Sequence, residues 1–338
     1  MVTGKYRILA MVLAASLTLL GAGCVTGETN VTGVPAVPKV AGLEKTALNV
    51  AVSPVVDSAG FFIALRDGLF AQEGLTVNYS PALADTVIAG QVKGQYDITA
   101  TNYVSYIEAQ VTHRADLRIV AEGSLLQAGN RVIMTMPRSK IGTLDGLRGQ
   151  LLGVNPDLSV GFLLTASLLA ENGIPINKNS PDPVKFPDFS MPYPDAAPAL
   201  VSGRVAAAVM TEPFATQLAE NYGAVTIADL SVGATQQFPV LGYAVTKAWA
   251  RAYPNTLKAF QVALTAGQEI ADTNRSAIEA AFVSLKPGEG HIDKRTAALM
   301  SLPSFPLNID AARLQRVPDV MREFGFLKHR FNIQELLS

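Results

Sequence analysis

From Leu48 onward the chain alternates short apolar runs with stretches of helical period. Apolar runs of roughly four to eight residues bounded by turn residues predict buried strands, and apolar positions recurring with a period near 3.6 predict helices. Leu48–Val52, Leu75–Tyr79, Tyr96–Ala100, Leu117–Ala121 and Arg131–Met136 read as strands. Between the first two, Phe61, Phe62, Leu65 and Leu69 fall at helical spacing after Ser58-Ala59-Gly60, with Gly68 and Gly74 as stops. Asp85 is expected to cap a helix through Lys93, and Asn102 one over Tyr103–Val111.

A second series begins near Thr143. "LRGQLLGVN" predicts a short helix and a strand, and Ser159 opens a helix through Glu171. Val184–Phe186 is a strand candidate, Asp195–Val201 a helix, Ala206–Met210 a strand, and Pro213 opens the next helix at its first position. "AVTIADL" and "FPVLGYAVT" are extended, and four or five helical segments fill Lys247–Leu337. Strands alternating with helices argue for parallel βαβ units. "VKGQYDITATNY" and "VSGRVAAAVMTEPF" share one plan: helix end, glycine, strand, polar corner, new helix. The identities are few, so this is a structural echo, consistent with two similar α/β lobes.

The first residues follow another pattern. Lys5 and Arg7 precede an apolar run from Ile8 to Leu20, which is short for a bilayer span. Then comes "LLGAGC", with small residues ahead of Cys24. A basic start, a short apolar stretch and small residues before a cut site describe a signal peptide over 1–23. The cysteine makes it resemble a bacterial lipobox, with Gly21 where leucine is usual. Cys24 would then be the lipidated first residue of an extracytoplasmic, membrane-anchored protein. Residues 24–46, rich in Thr, Gly, Val and Pro, read as a flexible tether.

Composition narrows the functions. Of 338 residues 49% are hydrophobic and 16% charged, ample for a large core. The net charge of −1 advertises no nucleic-acid partner, and removing 1–23 takes away two bases and no acid, giving −3. Cys24 is the single cysteine, so the folded part has no disulfide and no thiolate metal site. The three histidines, His113, His291 and His329, lie far apart, and no nucleophile elbow, phosphate loop or dinucleotide fingerprint is present. Asp182, Asp188 and Asp195 sit in a Pro-rich stretch as turn residues. No catalytic residue, metal or cofactor is expected.

Five segments carry a family resemblance. "GFFIALRDGLFAQEGLTVNYSP", "AGQVKGQYDITATN", "LDGLRGQLLGV", "ALVSGRVAAAVMTEPFATQLAENYGA" and "FPVLGYAVTKAWARAYPNTLKAF" stand in the right order across Leu48–Asn274. Together they resemble the substrate-binding proteins of bacterial ABC importers. The resemblance is strongest to the NMT1/THI5-like, sulfonate/taurine/nitrate-binding-like branch. One departure is Ala206, where that family commonly has aspartate. The resemblance implies an α/β type II periplasmic-binding-protein fold: two lobes, two mixed or parallel sheets flanked by helices, and a ligand cleft between them. Lobe 1 is expected over 47–136 plus 240–338 and lobe 2 over 137–239, with crossovers near Met134–Lys140 and Gln236–Leu241. The implied partners are a small-molecule solute and a membrane permease with its ATPase, the protein itself acting as a monomer.

Ligands of such sheets bind beyond the carboxyl ends of strands, near helix N-termini. The candidate ligand-binding residues are therefore Ser58, Ala59, Gly60 and Phe61; Thr101, Asn102 and Tyr103; Ser124; Ser159, Val160 and Gly161; Glu212; and Tyr243. Gly60 would let backbone approach a ligand, and Tyr243 would give an aromatic wall. Glu212 has two readings, a helix cap or the acceptor for an amine or aminopyrimidine donor. A taurine or alkanesulfonate type and a thiamine-pyrimidine-precursor type of solute both stay open, as do a ligand sensor or an enzyme on the same fold.

Overall fold

The fold is that of a computed structural model, which describes residues 39–82, 86–154, 159–188, 191 and 193–338. The signal peptide, Cys24, most of the tether and Asp85 lie outside the described residues. Among the described residues nine strands are formed: β1 Ala47–Val52, β2 Thr76–Pro81, β3 Ile98–Asn102, β4 Leu117–Leu125, β5 Arg131–Thr135, β6 Leu152–Gly153, β7 Ala207–Thr211, β8 Val225–Asp229 and β9 Pro239–Thr246. The helices are α1 Ala59–Arg66, α2 Leu69–Gln72, α3 Val87–Val92, α4 Tyr103–Val111, α5 Val160–Glu171 and α6 Tyr193–Val201. They continue as α7 Phe214–Tyr222, α8 Lys247–Ala252, α9 Pro254–Thr273, α10 Arg275–Ser284, α11 Lys294–Leu299 and α12 Ala311–Glu323.

The strands make two mixed sheets. The first has the order β2-β1-β3-β9-β4 and the second β6-β7-β5-β8. In the first, β1 pairs in parallel with β2 and β3, while β9 runs antiparallel to β3 and β4. In the second, β6 and β7 are parallel, and β5 is antiparallel to both β7 and β8. The chain crosses between sheets over residues 126–130 and again over 230–238. The first crossing comes earlier than the sequence pattern placed it. Arg131–Thr135, expected in lobe 1, is a central strand of the second sheet. An apolar run reads alike in either sheet, so periodicity alone does not say which one takes it.

Pleating sorts the second sheet's side chains into two layers. Val132 and Met134 of β5, with Ala208 and Met210 of β7, face a small cluster under Ala196, Leu200 and Leu218. Ile133, Ala207 and Val209 point the other way, into the cluster that includes Leu163 and Leu164 of α5. Arg131 has the parity of Ile133, so a guanidinium enters that second layer. Val184–Phe186 forms no strand, only a bridge from Lys185 to Leu151.

In the first lobe α1 and α9 approach so closely that only glycine fits. A Cβ on Gly60 would lie 2.9 Å from Gln268 Cα, and one on Gly267 would overlap the carbonyl oxygen of Gly60. Gly60 does permit a close approach, but of α9 rather than of a ligand. Gly267→Ala is expected to destabilise the protein by about 1–3 kcal/mol through overpacking. The check is a lower denaturant midpoint with unchanged slope.

Candidate functional site

A small cavity of about 50 Å³ lies between the sheets. Ser53, Val55 and Asp57 reach it just after β1, and Thr101 and Asn102 from the end of β3. Val240 and Leu241 line it at the start of β9, which runs the opposite way. Arg131, the first residue of β5, comes from the second sheet, and Ser159 and Val160 at the head of α5 and Tyr193 at the head of α6 complete the wall. The cavity therefore sits beyond the carboxyl ends of the parallel strands, where the α/β rule puts ligands.

Two helices aim their N-termini at it. Asn102 Oδ1 accepts from Ser105 N at 3.0 Å and caps α4, and Ser159 Oγ accepts from Phe162 N at 3.2 Å and caps α5. Both residues cap their helices and also line the cavity. Each helix brings about half a positive charge to its first turn.

The charged groups of the cavity were not foreseen. Arg131 Nη1 donates to the Tyr193 hydroxyl at 2.8 Å, and Nη2 to Thr211 Oγ1 at 3.3 Å. Thr211 is opposite Arg131 in the ladder, so sheet register alone supplies that contact. Tyr193 lies face to face with Phe214, which fixes the ring, and burial pushes its phenol above the ordinary value. The phenol thus keeps its proton while accepting from the guanidinium. Asp57 Oδ1 accepts from Ser124 Oγ at 2.7 Å. Asp57 Oδ2 lies 3.7 Å from Arg131 Nη2, close enough to attract and too long for a hydrogen bond.

Several polar atoms here have no hydrogen-bond partner. Asp57 Oδ2, Thr101 Oγ1 and Arg131 Nε are buried and unsatisfied, and so are both amide atoms of Asn130, the residue before Arg131. Native proteins leave few such atoms, because each costs about 1–3 kcal/mol. Three of these atoms belong to residues lining one cavity: Asp57, Thr101 and Arg131.

The remaining candidates fall elsewhere. Ser58, Ala59, Gly60 and Phe61 are wholly buried, Phe61 among Phe62, Phe70, Tyr79 and Tyr243. Tyr243 is core, not wall, and burial raises its phenol. Tyr103 lies with its ring against Gly242, filling the space a side chain would need. Gly161 does not line the cavity; its carbonyl accepts from Thr165 Oγ1. Ser124 touches the cavity only through Asp57.

Glu212 is a cap. Its Oε1 accepts from Thr216 Oγ1 at 2.9 Å and from Ser301 N at 3.1 Å, and its Oε2 from Thr216 N at 3.1 Å. The carboxylate is 3% exposed and lies off the cavity. Pro213, expected inside α7, takes the N-cap position instead, and the helix starts at Phe214. Burial pushes the Glu212 carboxyl above its ordinary 4.5, outweighing these hydrogen bonds. The folded state then holds its proton longer than the unfolded chain, so this contribution to stability falls as pH rises from 4.5 through the raised value. Relative to wild type, Glu212→Gln is expected to gain stability over that range in urea titrations. Glu212→Ala should lose about 1–3 kcal/mol by orphaning the Ser301 and Thr216 amides. Solute affinity should be unchanged in both.

No group of three or more His, Cys, Asp or Glu side chains suited to a metal occurs among the described residues. No helix among the described residues is long and apolar enough to cross a membrane.

These features define a class first. The architecture is the two-lobed α/β fold of periplasmic binding proteins, and solved structures share it. The alkanesulfonate-binding protein SsuA from Xanthomonas axonopodis pv. citri, bound to MOPS, matches with TM-score 0.69 and 16% identity, over 87% of this chain and 98% of that one. The periplasmic nitrate-binding protein NrtA from Synechocystis PCC 6803 matches with TM-score 0.72 and 13% identity, over 88% and 86%. The Candida albicans CA3427 gene product, described as having the generic periplasmic binding protein fold, matches with TM-score 0.69 and 14% identity, over 87% and 96%. No curated protein matches the sequence. Residues 41–284 match the model of the NMT1-like family, and the chain belongs to that family.

Proposed function

We propose that the protein is the extracytoplasmic solute-binding component of an ABC importer, not an enzyme. It captures a small polar organic solute, of taurine/alkanesulfonate or thiamine-pyrimidine-precursor type, between its two sheets. It then delivers the solute to a membrane permease driven by a separate ATPase. Cys24 carries the lipid anchor that holds it at the cell membrane, as a monomer. One observation carries the solute-binding step: a cavity between the sheets whose lining residues include buried, unpartnered polar atoms. Such atoms stabilise a bound solute and cost energy without one.

A thermal-shift panel of sulfonates, taurine, pyrimidines, thiamine and nitrate tests it. At 100 times Kd a single site adds about 2.7 kcal/mol, a rise of several degrees in Tm. If no small solute raises the Tm, the receptor reading is wrong.

A further inference from the structure

Outside the cavity Glu122 pairs with Arg313, and there the buried carboxylate is fully engaged. Glu122 accepts from Arg313 Nε and Nη2, both at 2.9 Å, and from Asp310 N at 2.6 Å. The Asp57–Arg131 pair is built differently. Asp57 comes from the first lobe and Arg131 from the second, their side chains are 0% and 4% exposed, and each keeps an atom without a hydrogen bond.

We infer that this pair sets the class of solute: a small molecule of no net charge that presents a hydrogen-bond donor beside an acceptor. The inference rests on the solute-receptor reading above. The two side chains already sum to zero charge. A bare anion would approach a guanidinium that Asp57 has balanced, and would face that carboxylate across 3.7 Å. It would add an uncompensated charge to a buried site, which is costly, and a bare cation would meet the mirror problem. A dipolar solute avoids both. Its donor takes Asp57 Oδ2, its acceptor takes Arg131 Nε, and Thr101 Oγ1 can serve either end. The N-termini of α4 and α5 favour the acceptor end as well. A zwitterion and a neutral aminopyrimidine share this chemistry.

Isothermal titration of the purified full chain with a matched set tests it. Taurine is compared with ethanesulfonate, which lacks the ammonium, with ethylamine, which lacks the sulfonate, and with 4-aminopyrimidine. Wild type should bind taurine or 4-aminopyrimidine at least tenfold more tightly than either ion, and the better of the two tells zwitterion from neutral ring. Asp57→Asn, checked for folding by circular dichroism, should shift the preference at least tenfold toward ethanesulfonate. Ethanesulfonate or ethylamine binding wild type as tightly as the neutral solutes overturns the inference and leaves the receptor reading standing. An unchanged ranking in folded Asp57→Asn also overturns it. If Asp57→Asn does not fold, the wild-type ranking decides. If only a solute of the broader panel binds, its net charge decides: zero supports the pair's role, and an ion refutes it. Binding of nothing in either panel removes both readings.

Discussion

Replacing Arg131 by methionine should destabilise the protein by about 3–5 kcal/mol, because it strands the Asp57 carboxylate in a buried site. Asp57 accepts only from Ser124, and the guanidinium is its sole ion-pair partner among the described residues. The same change frees the Tyr193 hydroxyl and Thr211 Oγ1 from their donor. The double variant Asp57→Asn, Arg131→Met should recover most of the loss, since both charges are then gone. A double-mutant cycle in urea measures the coupling directly. A single-variant loss under about 1 kcal/mol would mean that water reaches Asp57, and the buried-pair account would fail. The single and double variants should both lose solute affinity.

The second large effect lies at the far end of the chain. Arg313 on α12 grips Glu122 of β4 with two guanidinium nitrogens, and Asp310 caps the same helix through Ala312 N and Arg313 N. Glu122 is 2% exposed, so Arg313→Met leaves a buried carboxylate with only the Asp310 amide as donor. The expected loss is about 3 kcal/mol, the low end for a broken buried pair, because a quarter of the Arg313 side chain is in water. The Glu122 pairing also holds Arg313's own pKa above its ordinary value. The loss should therefore persist across neutral pH, where Arg313 stays charged. Denaturant melts at several pH values check both statements.

Most elements were legible because they rest on local rules. Asn102 and Ser159 cap the helices that their side chains predicted, and Gly68 and Gly74 take positive φ where stops were expected. Family motifs placed the architecture. The site was legible only in part. Thr101, Asn102, Ser159 and Val160 are on the cavity wall, while Gly60, Phe61 and Tyr243 serve the core. A corner residue's direction depends on how α1 leans on α9, and that packing has no one-dimensional signature. Arg131 and Asp57 did leave a trace. Each is a charge set in an apolar run, and charged residues are rarely fully buried unless paired. Tyr193 left none, since a Pro-rich stretch gives no period to read.

The position of β9 carries a consequence for biogenesis. It lies between β3 and β4, which precede it by more than a hundred residues. A nascent chain emerging from a ribosome or a translocon therefore presents β3 and β4 as two unjoined edges until Pro239–Thr246 appears. The second sheet is complete by Asp229, so it can settle first. Long-range pairing of this kind is slow and leaves strand edges open to wrong partners. In vectorial synthesis the half of the protein made first is thus the half finished last. A chaperone protecting this protein would be needed most while β9 is still missing.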